Sequence, residues 1–171
     1  CGRNSVYRSM ENFKFRRRVF FAFFSLLFFM LVPAHCIAQN ITEAESRVYR
    51  ERLVTEAKKY IGAPYVRGAT GPEAFDCSGL VYTVSHDSIA RQLPRTVKAM
   101  YSQVRIVPDD QKEPGDLVFF QGTYDTYGMS HVGIYVGNNM MIHAGDPIGF
   151  ADLKNAQWAK KIYAFGRLPI D

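Results

Sequence analysis

The chain has 171 residues, is 47% hydrophobic and carries a formal charge of +5, enough length for one domain with its own core and too little for two comfortable ones. The charge is unevenly placed: residues 1–38 hold six Lys or Arg against the single acid Glu11, whereas residues 39–171 hold 15 charges of each sign. The folded part thus has no net basic balance from which a phosphate-binding face would follow, and no nucleic-acid partner is expected.

The N-terminal segment has the pattern of an export signal. Lys14, Arg16, Arg17 and Arg18 lead into a fourteen-residue apolar run, 19–32, broken only by Ser25, with Pro33 and the small-residue exit Cys36-Ile37-Ala38 behind it. A bilayer span needs ~20 apolar residues, so this run suits the core of a signal peptide cut after Ala38. Two other fates are a retained membrane anchor and lipidation of Cys36, although His35 stands where a lipidation site wants a small residue. Contact with a membrane is expected only through such an uncleaved or lipidated N-terminus. Since residue 1 is Cys, Met10 is the expected start, and residues 1–9 carry no fold information. Residues 1–38 are read as an N-terminal extension and signal peptide, and 39–171 as a single domain. Cys1 and Cys36 leave with the leader, so Cys77 is expected to be the one thiol of an exported domain, with no disulfide partner.

After the leader, Thr42 with Glu45 three residues on is a capping pair for a helix over 43–61, whose apolar positions are Val48, Leu53, Val54, Ala57 and Ile61. Gly62 and Pro64 end it, and 65–76 reads as an extended segment and loop with Gly68, Gly71 and Pro72. A second helix is predicted from Asp76 or Cys77 through Leu80, Val81 and Val84, then a loop at Leu93-Pro94-Arg95-Thr96 and a short helix through Met100. The back half predicts strands at 116–120, 131–136, 140–143 and 162–168, the second and third joined by Gly137-Asn138-Asn139. A loop over 121–130 precedes His131. Helices first and an antiparallel sheet second make this an α+β domain.

The residues with chemistry to offer are few. Cys77 sits where a Gly-containing loop turns into a helix, and unpaired N–H groups with the positive end of the helix dipole are expected to favour its thiolate. Without partners it reads equally well as a buried small hydrophobe. A nucleophilic cysteine needs a base and a group that orients the base. His131 and His143 stand on neighbouring strands, whereas His86 falls at a helix end, where a polar side chain is favourable for structural reasons. No Cys-x-x-Cys or His-x-x-x-His spacing supports a metal site. The hairpin sets a condition on the pair. Side chains alternate along a strand, so His131 and His143 meet only if the connection is a three-residue loop or a two-residue turn with a one-residue bulge; either pairs Gly133 with His143.

Tyr60-Ile61-Gly62-Ala63-Pro64-Tyr65, Phe75-Asp76-Cys77-Ser78-Gly79-Leu80-Val81, Leu93-Pro94-Arg95-Thr96, Pro114-Gly115-Asp116-Leu117-Val118-Phe119-Phe120, His131-Val132-Gly133-Ile134-Tyr135-Val136-Gly137 and Ile142-His143-Ala144 resemble, in order and spacing, the successive motifs of the NlpC-type bacterial cell-wall cysteine peptidases. The resemblance implies a papain-like α+β fold with N-terminal helices packed on an antiparallel β-sheet. It implies an endopeptidase that cleaves peptidoglycan stem peptides between D-glutamate and a diamino acid through a Cys thioester, without a cofactor. By the same resemblance Cys77 is the nucleophile, His131 the base and His143 its orienting partner. Tyr65, Asp76 and Ser78 match substrate-binding positions, with Asp76 available to a free stem-peptide amine; Tyr65 also reads as a core aromatic and Asp76 as a helix N-cap. Val66-Arg67-Gly68-Ala69 departs from the family, which often has an aromatic and then Gly-Gly. Two other readings are a papain-like amidase or acyltransferase acting on a non-wall substrate and a catalytically inactive wall-binding domain.

Overall fold

Asp76 starts the helix that carries Cys77. Its backbone is extended (φ −95°, ψ 178°) and its Oδ1 accepts the Gly79 N–H at 2.7 Å, capping α2 (Cys77–Ile89), which ends at Ala90 in the left-handed region. The computed structural model describes residues 43–124 and 127–169; the expected leader, Cys36, the Thr42 cap and part of the 121–130 loop lie outside the described residues. From Glu45 onward the chain belongs to one compact unit. Helix α1 covers 43–58 and buries Leu53 and Ala57, while Val48 and Ile61, expected on its apolar face, are exposed. It stops short of 61 because its last turn tightens: Lys59, Tyr60 and Ile61 donate to carbonyls three residues back, and Gly62 N–H leaves for Ile148 O.

After α3 (Val97–Tyr101, capped by Thr96) come β1 (Arg105–Val107), a 3₁₀ turn (Asp109–Gln111), β2 (Leu117–Gln121), β3 (Met129–Gly137), β4 (Met140–His143), β5 (Gly149–Asp152), α4 (Ala156–Ala159) and β6 (Ile162–Arg167). The strands form one antiparallel sheet in the order β1-β6-β2-β3-β4-β5. Helices followed by an antiparallel sheet is the α+β arrangement expected. β1, β5 and α4 had no reading in the sequence; they are three or four residues long and mostly solvent-facing, so no apolar period marks them.

Both sheet faces are covered. Leu117, Phe119, Val132, Ile134 and Ile142 pack with Leu53, Ala57, Leu80, Val81 and Val84 of the helices, while Val118, Phe120, Tyr135, Met141, Leu153 and Phe165 form a second cluster. Each large side chain so buried contributes roughly 1.5–3 kcal/mol. That double coverage is why β2 shows four consecutive buried residues instead of an alternation.

The sheet is anchored at one end by charge. Asp116 is fully buried and accepts from Arg167 Nε at 2.7 Å, Arg167 Nη2 at 2.9 Å and the Glu113 N–H at 2.7 Å. Removing the carboxylate takes away two of the nearly buried Arg167 guanidinium's charge-assisted bonds and leaves it to Glu113 at 2.8 Å and the Gln111 carbonyl at 3.2 Å, so Asp116→Ala is expected to destabilise the fold by about 3 kcal/mol, the lower end for a broken buried pair. Urea denaturation checks this; a loss within the error of the parent's stability would mean the pair is dispensable.

Candidate active site

The hairpin of β3 and β4 brings two imidazoles together. Gly133 pairs with His143, Ile134 with Ile142 and Tyr135 with Met141, after which the register shifts so that Gly137 pairs with Met140. Val136 is the extra residue, and Asn138 and Asn139 form a two-residue turn with φ of 52° and 58°. Positive φ at both central positions is what a type I′ hairpin requires, and Asn tolerates it. Of the two connections that let the rings meet, the fold uses the turn with a bulge and not the three-residue loop; a plain two-residue turn would have put them on opposite faces. His131 is thereby a same-face diagonal neighbour of His143, and its Nε2 lies 3.0 Å from His143 Nδ1. Gly133 stands between them. A Cβ there would lie 2.8 Å from Met141 Sδ, 3.1 Å from the Ile142 carbonyl oxygen and 3.3 Å from His143 Cβ, so any side chain would crowd the strand that presents His143.

A third aromatic closes over the pair. Trp158, from the short helix α4, stacks on His131 with centroids 5.4 Å apart at 29°, and meets His143 edge-on at 4.8 Å and Phe120 at 5.1 Å. The consequence is desolvation. Burial, with His143 adding a smaller repulsion, pushes His131 down to about 3, and burial pushes His143 down to about 4. Both rings are therefore neutral at neutral pH.

Cys77 begins α2 and is 5% exposed. Burial and then the Asp76 charge push its thiol above the usual value; N–H groups of Ser78, Val132 and Cys77 itself oppose this without overcoming it. The expected thiolate preference is thus reversed. A helix terminus is worth about 0.3–1 kcal/mol, less than the removal of a sulfur anion from water costs here. Cys77 lies in the same buried cluster as Val132, the strand residue after His131.

The other expected residues surround Cys77. Tyr65, Asp76, Cys77 and Ser78 line a cleft of about 790 Å³, with Arg67, Arg95, Lys98, Tyr124 and Tyr127 on its walls and rim. Asp76 is heavily committed. Arg95 grips it with Nη1 at 2.9 Å from Oδ1 and Nη2 at 2.7 Å from Oδ2, while the Gly68 N–H, the Gly79 N–H and the Ser78 hydroxyl also donate to it. Burial raises the Asp76 carboxyl, but these bonds, Arg95 first, outweigh it and leave it below its usual value. Arg95 Nη1 also donates to Ser78 Oγ at 2.7 Å. Asp76 caps α2 and, through Arg95, fixes the cleft wall. Gly79 permits this closeness, since a Cβ there would run into the Ala69 carbonyl.

Two residues had no assigned role in the sequence reading. Arg95 stood in a quoted motif, with no local pattern to pair it with Asp76 nineteen residues earlier. Trp158, the chain's single tryptophan, gave no local signal. His86 pairs with Asp87 at the exposed end of α2, away from these groups.

Residues 62–167 match the NlpC/P60 family model. The chain is 41% identical over 122 residues to the "Bifunctional muramidase/DL-endopeptidase CwlT" of Bacillus subtilis, covering 70% of this chain and 37% of that protein. It is 39% identical over 118 residues to the "Gamma-DL-glutamyl hydrolase" of the same organism, covering 67% and 28%. The chain thus spans well under half the length of either relative. Among solved structures, an NLP/P60 family protein of Staphylococcus aureus, described as similar to lipoprotein, superposes with a TM-score of 0.67 at 36% identity, covering 72% of this chain and 42% of that one.

Proposed function

The chain belongs to the NlpC/P60 family, and from that premise we propose that it is an exported cysteine endopeptidase that hydrolyses peptidoglycan stem peptides between a D-glutamyl residue and a diamino acid. The observation that carries the reading is the His131–His143 contact, 3.0 Å between Nε2 and Nδ1, with a buried cysteine at the start of α2, the helix that packs on the strand of His131. The relatives' printed names, a DL-endopeptidase and a γ-DL-glutamyl hydrolase, support the bond type. The arrangement of charge at 14–38 supports export.

The chemistry follows from proton positions. If His131 Nε2–H donates to His143 Nδ1, His131 Nδ1 keeps its lone pair and can take the Cys77 proton; the opposite tautomer would leave Nδ1 protonated and useless as a base. His143 thus sets the tautomer. Because Cys77 rests as a thiol, its proton passes to His131 as the sulfur attacks the amide carbonyl. N–H groups at the start of α2 receive the oxyanion. His131 then gives its proton to the departing diamino-acid amine, leaving a thioester, and next takes a proton from water as the hydroxide attacks that thioester. Collapse returns the thiol and a glutamyl carboxylate. Tyr65 and Ser78 face the peptide in this scheme.

The bond preference is tested with a γ-D-glutamyl–diamino acid peptide against its α-linked isomer. Cleavage of the γ-linked peptide alone is expected; equal cleavage, or cleavage of neither, contradicts the assignment.

Trp158 enters as a positioning residue. Opening its side of the pocket admits water to both imidazoles, and their pKa values should climb toward the ordinary 6.5. The sign is fixed by the base: as pH falls, protonation of His131 removes it, so the acidic limb of the kcat/KM profile is low in the parent and should move up by about a unit or more in Trp158→Ala. Trp158→Phe, which keeps an aromatic face, should restore much of the profile. An unshifted limb in the alanine variant would assign Trp158 to packing alone.

A further inference from the structure

The cleft beside Cys77 has a charge that the domain as a whole does not. Over 39–171 the formal charges cancel, yet the described residues lining the cleft include Arg67, Arg95 and Lys98 against a single carboxylate, Asp76. Arg95 is spent: its guanidinium is held bidentately by Asp76. Arg67 and Lys98 are exposed, and neither has a hydrogen-bond or carboxylate partner among the described residues. They reach the cleft from different elements, Arg67 from the segment before α2 and Lys98 from the first turn of α3. Arg67 shares the cleft lining with Tyr65 and Tyr124, and its charge acts on both phenols.

Two cations without a carboxylate partner among the described residues, in the cleft that holds the nucleophile, favour an anion in the ligand. A glutamyl residue joined through one carboxyl retains a second, and a diamino acid brings a carboxyl of its own. In a stem peptide either group is anionic when free and neutral when amidated. We propose that Arg67 and Lys98 form a subsite for a free carboxylate of the stem peptide, so that non-amidated peptides are taken in preference to amidated ones. The proposal rests on the wall-peptide reading above and deepens it. It also gives a function to the one departure from the family pattern, where Arg67 stands in place of a flat aromatic: stacking is exchanged for a planar fork suited to a carboxylate.

The test is a calorimetric titration on the full chain carrying Cys77→Ala, so that binding is read without turnover. The probes are the free-carboxylate γ-D-glutamyl–diamino acid peptide and two singly amidated versions, one blocked on the glutamyl residue and one on the diamino acid. Amidation at one of the two positions is expected to weaken binding about tenfold at low salt, with the gap shrinking at high salt as screening shortens the reach of the exposed charges. Which amide weakens binding identifies the carboxylate that is read. Adding Arg67→Gln and Lys98→Gln should bring the ratio close to one, while Lys154→Gln, a charge change outside the cleft, should leave it as in the parent. Binding with no discrimination, or discrimination that survives the double substitution, overturns the subsite and leaves the endopeptidase reading in place. Absence of binding by all three peptides contradicts the endopeptidase reading, and the subsite falls with it.

Discussion

Cys77→Ala is expected to abolish hydrolysis, with a loss on the order of 10⁴-fold or more, while the protein stays folded. Removing the nucleophile of a catalytic unit that acts as a whole costs nearly everything the unit contributes. The structural cost is small by comparison. The residue is 5% exposed and alanine deletes one sulfur atom, a cavity worth about 1 kcal/mol. The Asp76 cap and the Arg95 pair do not involve the sulfur and should hold α2 in place. Turnover on peptidoglycan and the thermal midpoint are the paired measurements. Near wild-type turnover in a folded variant would end the cysteine-hydrolase account.

His131→Ala should be as severe as Cys77→Ala, and His143→Ala should be milder by about one to two orders of magnitude, since it removes the orienting partner and spares the base. His143→Gln offers a distinct check. Its side-chain oxygen accepts from His131 Nε2–H, so it should recover part of what alanine loses. Equal losses in His131→Ala and His143→Ala would mean that His143 takes part in proton transfer and is more than an orienting group. A mild loss in His131→Ala would remove the base.

What the sequence disclosed about this site follows from the range of the forces involved. The Cys77 helix was legible because its cap, its start and its apolar positions sit within a few residues of one another. The hairpin was legible up to a choice between two connections, since strand parity is a local rule; the bulge at Val136 decided it. The strand through 117–120 was legible as a continuous apolar run. By contrast, Trp158 reaches the imidazoles only because β6 and β3 flank β2, placing α4 over that face of the sheet. That placement depends on strand order, which no local pattern encodes. The Arg95–Asp76 pair joins residues nineteen apart across α2 and the loop after it, a span that no local spacing encodes. The thiol of Cys77 was misjudged because the helix dipole is visible in sequence and desolvation is not.

The most direct test of the central claim is mass analysis of the fragments released when the protein digests whole, purified peptidoglycan. The account predicts stem peptides cut once, giving muropeptides that end in a D-glutamyl carboxylate together with peptides that begin with a free diamino acid, and neither product with Cys77→Ala. Intact stem peptides after exhaustive digestion, or a cut at any other bond, would contradict it.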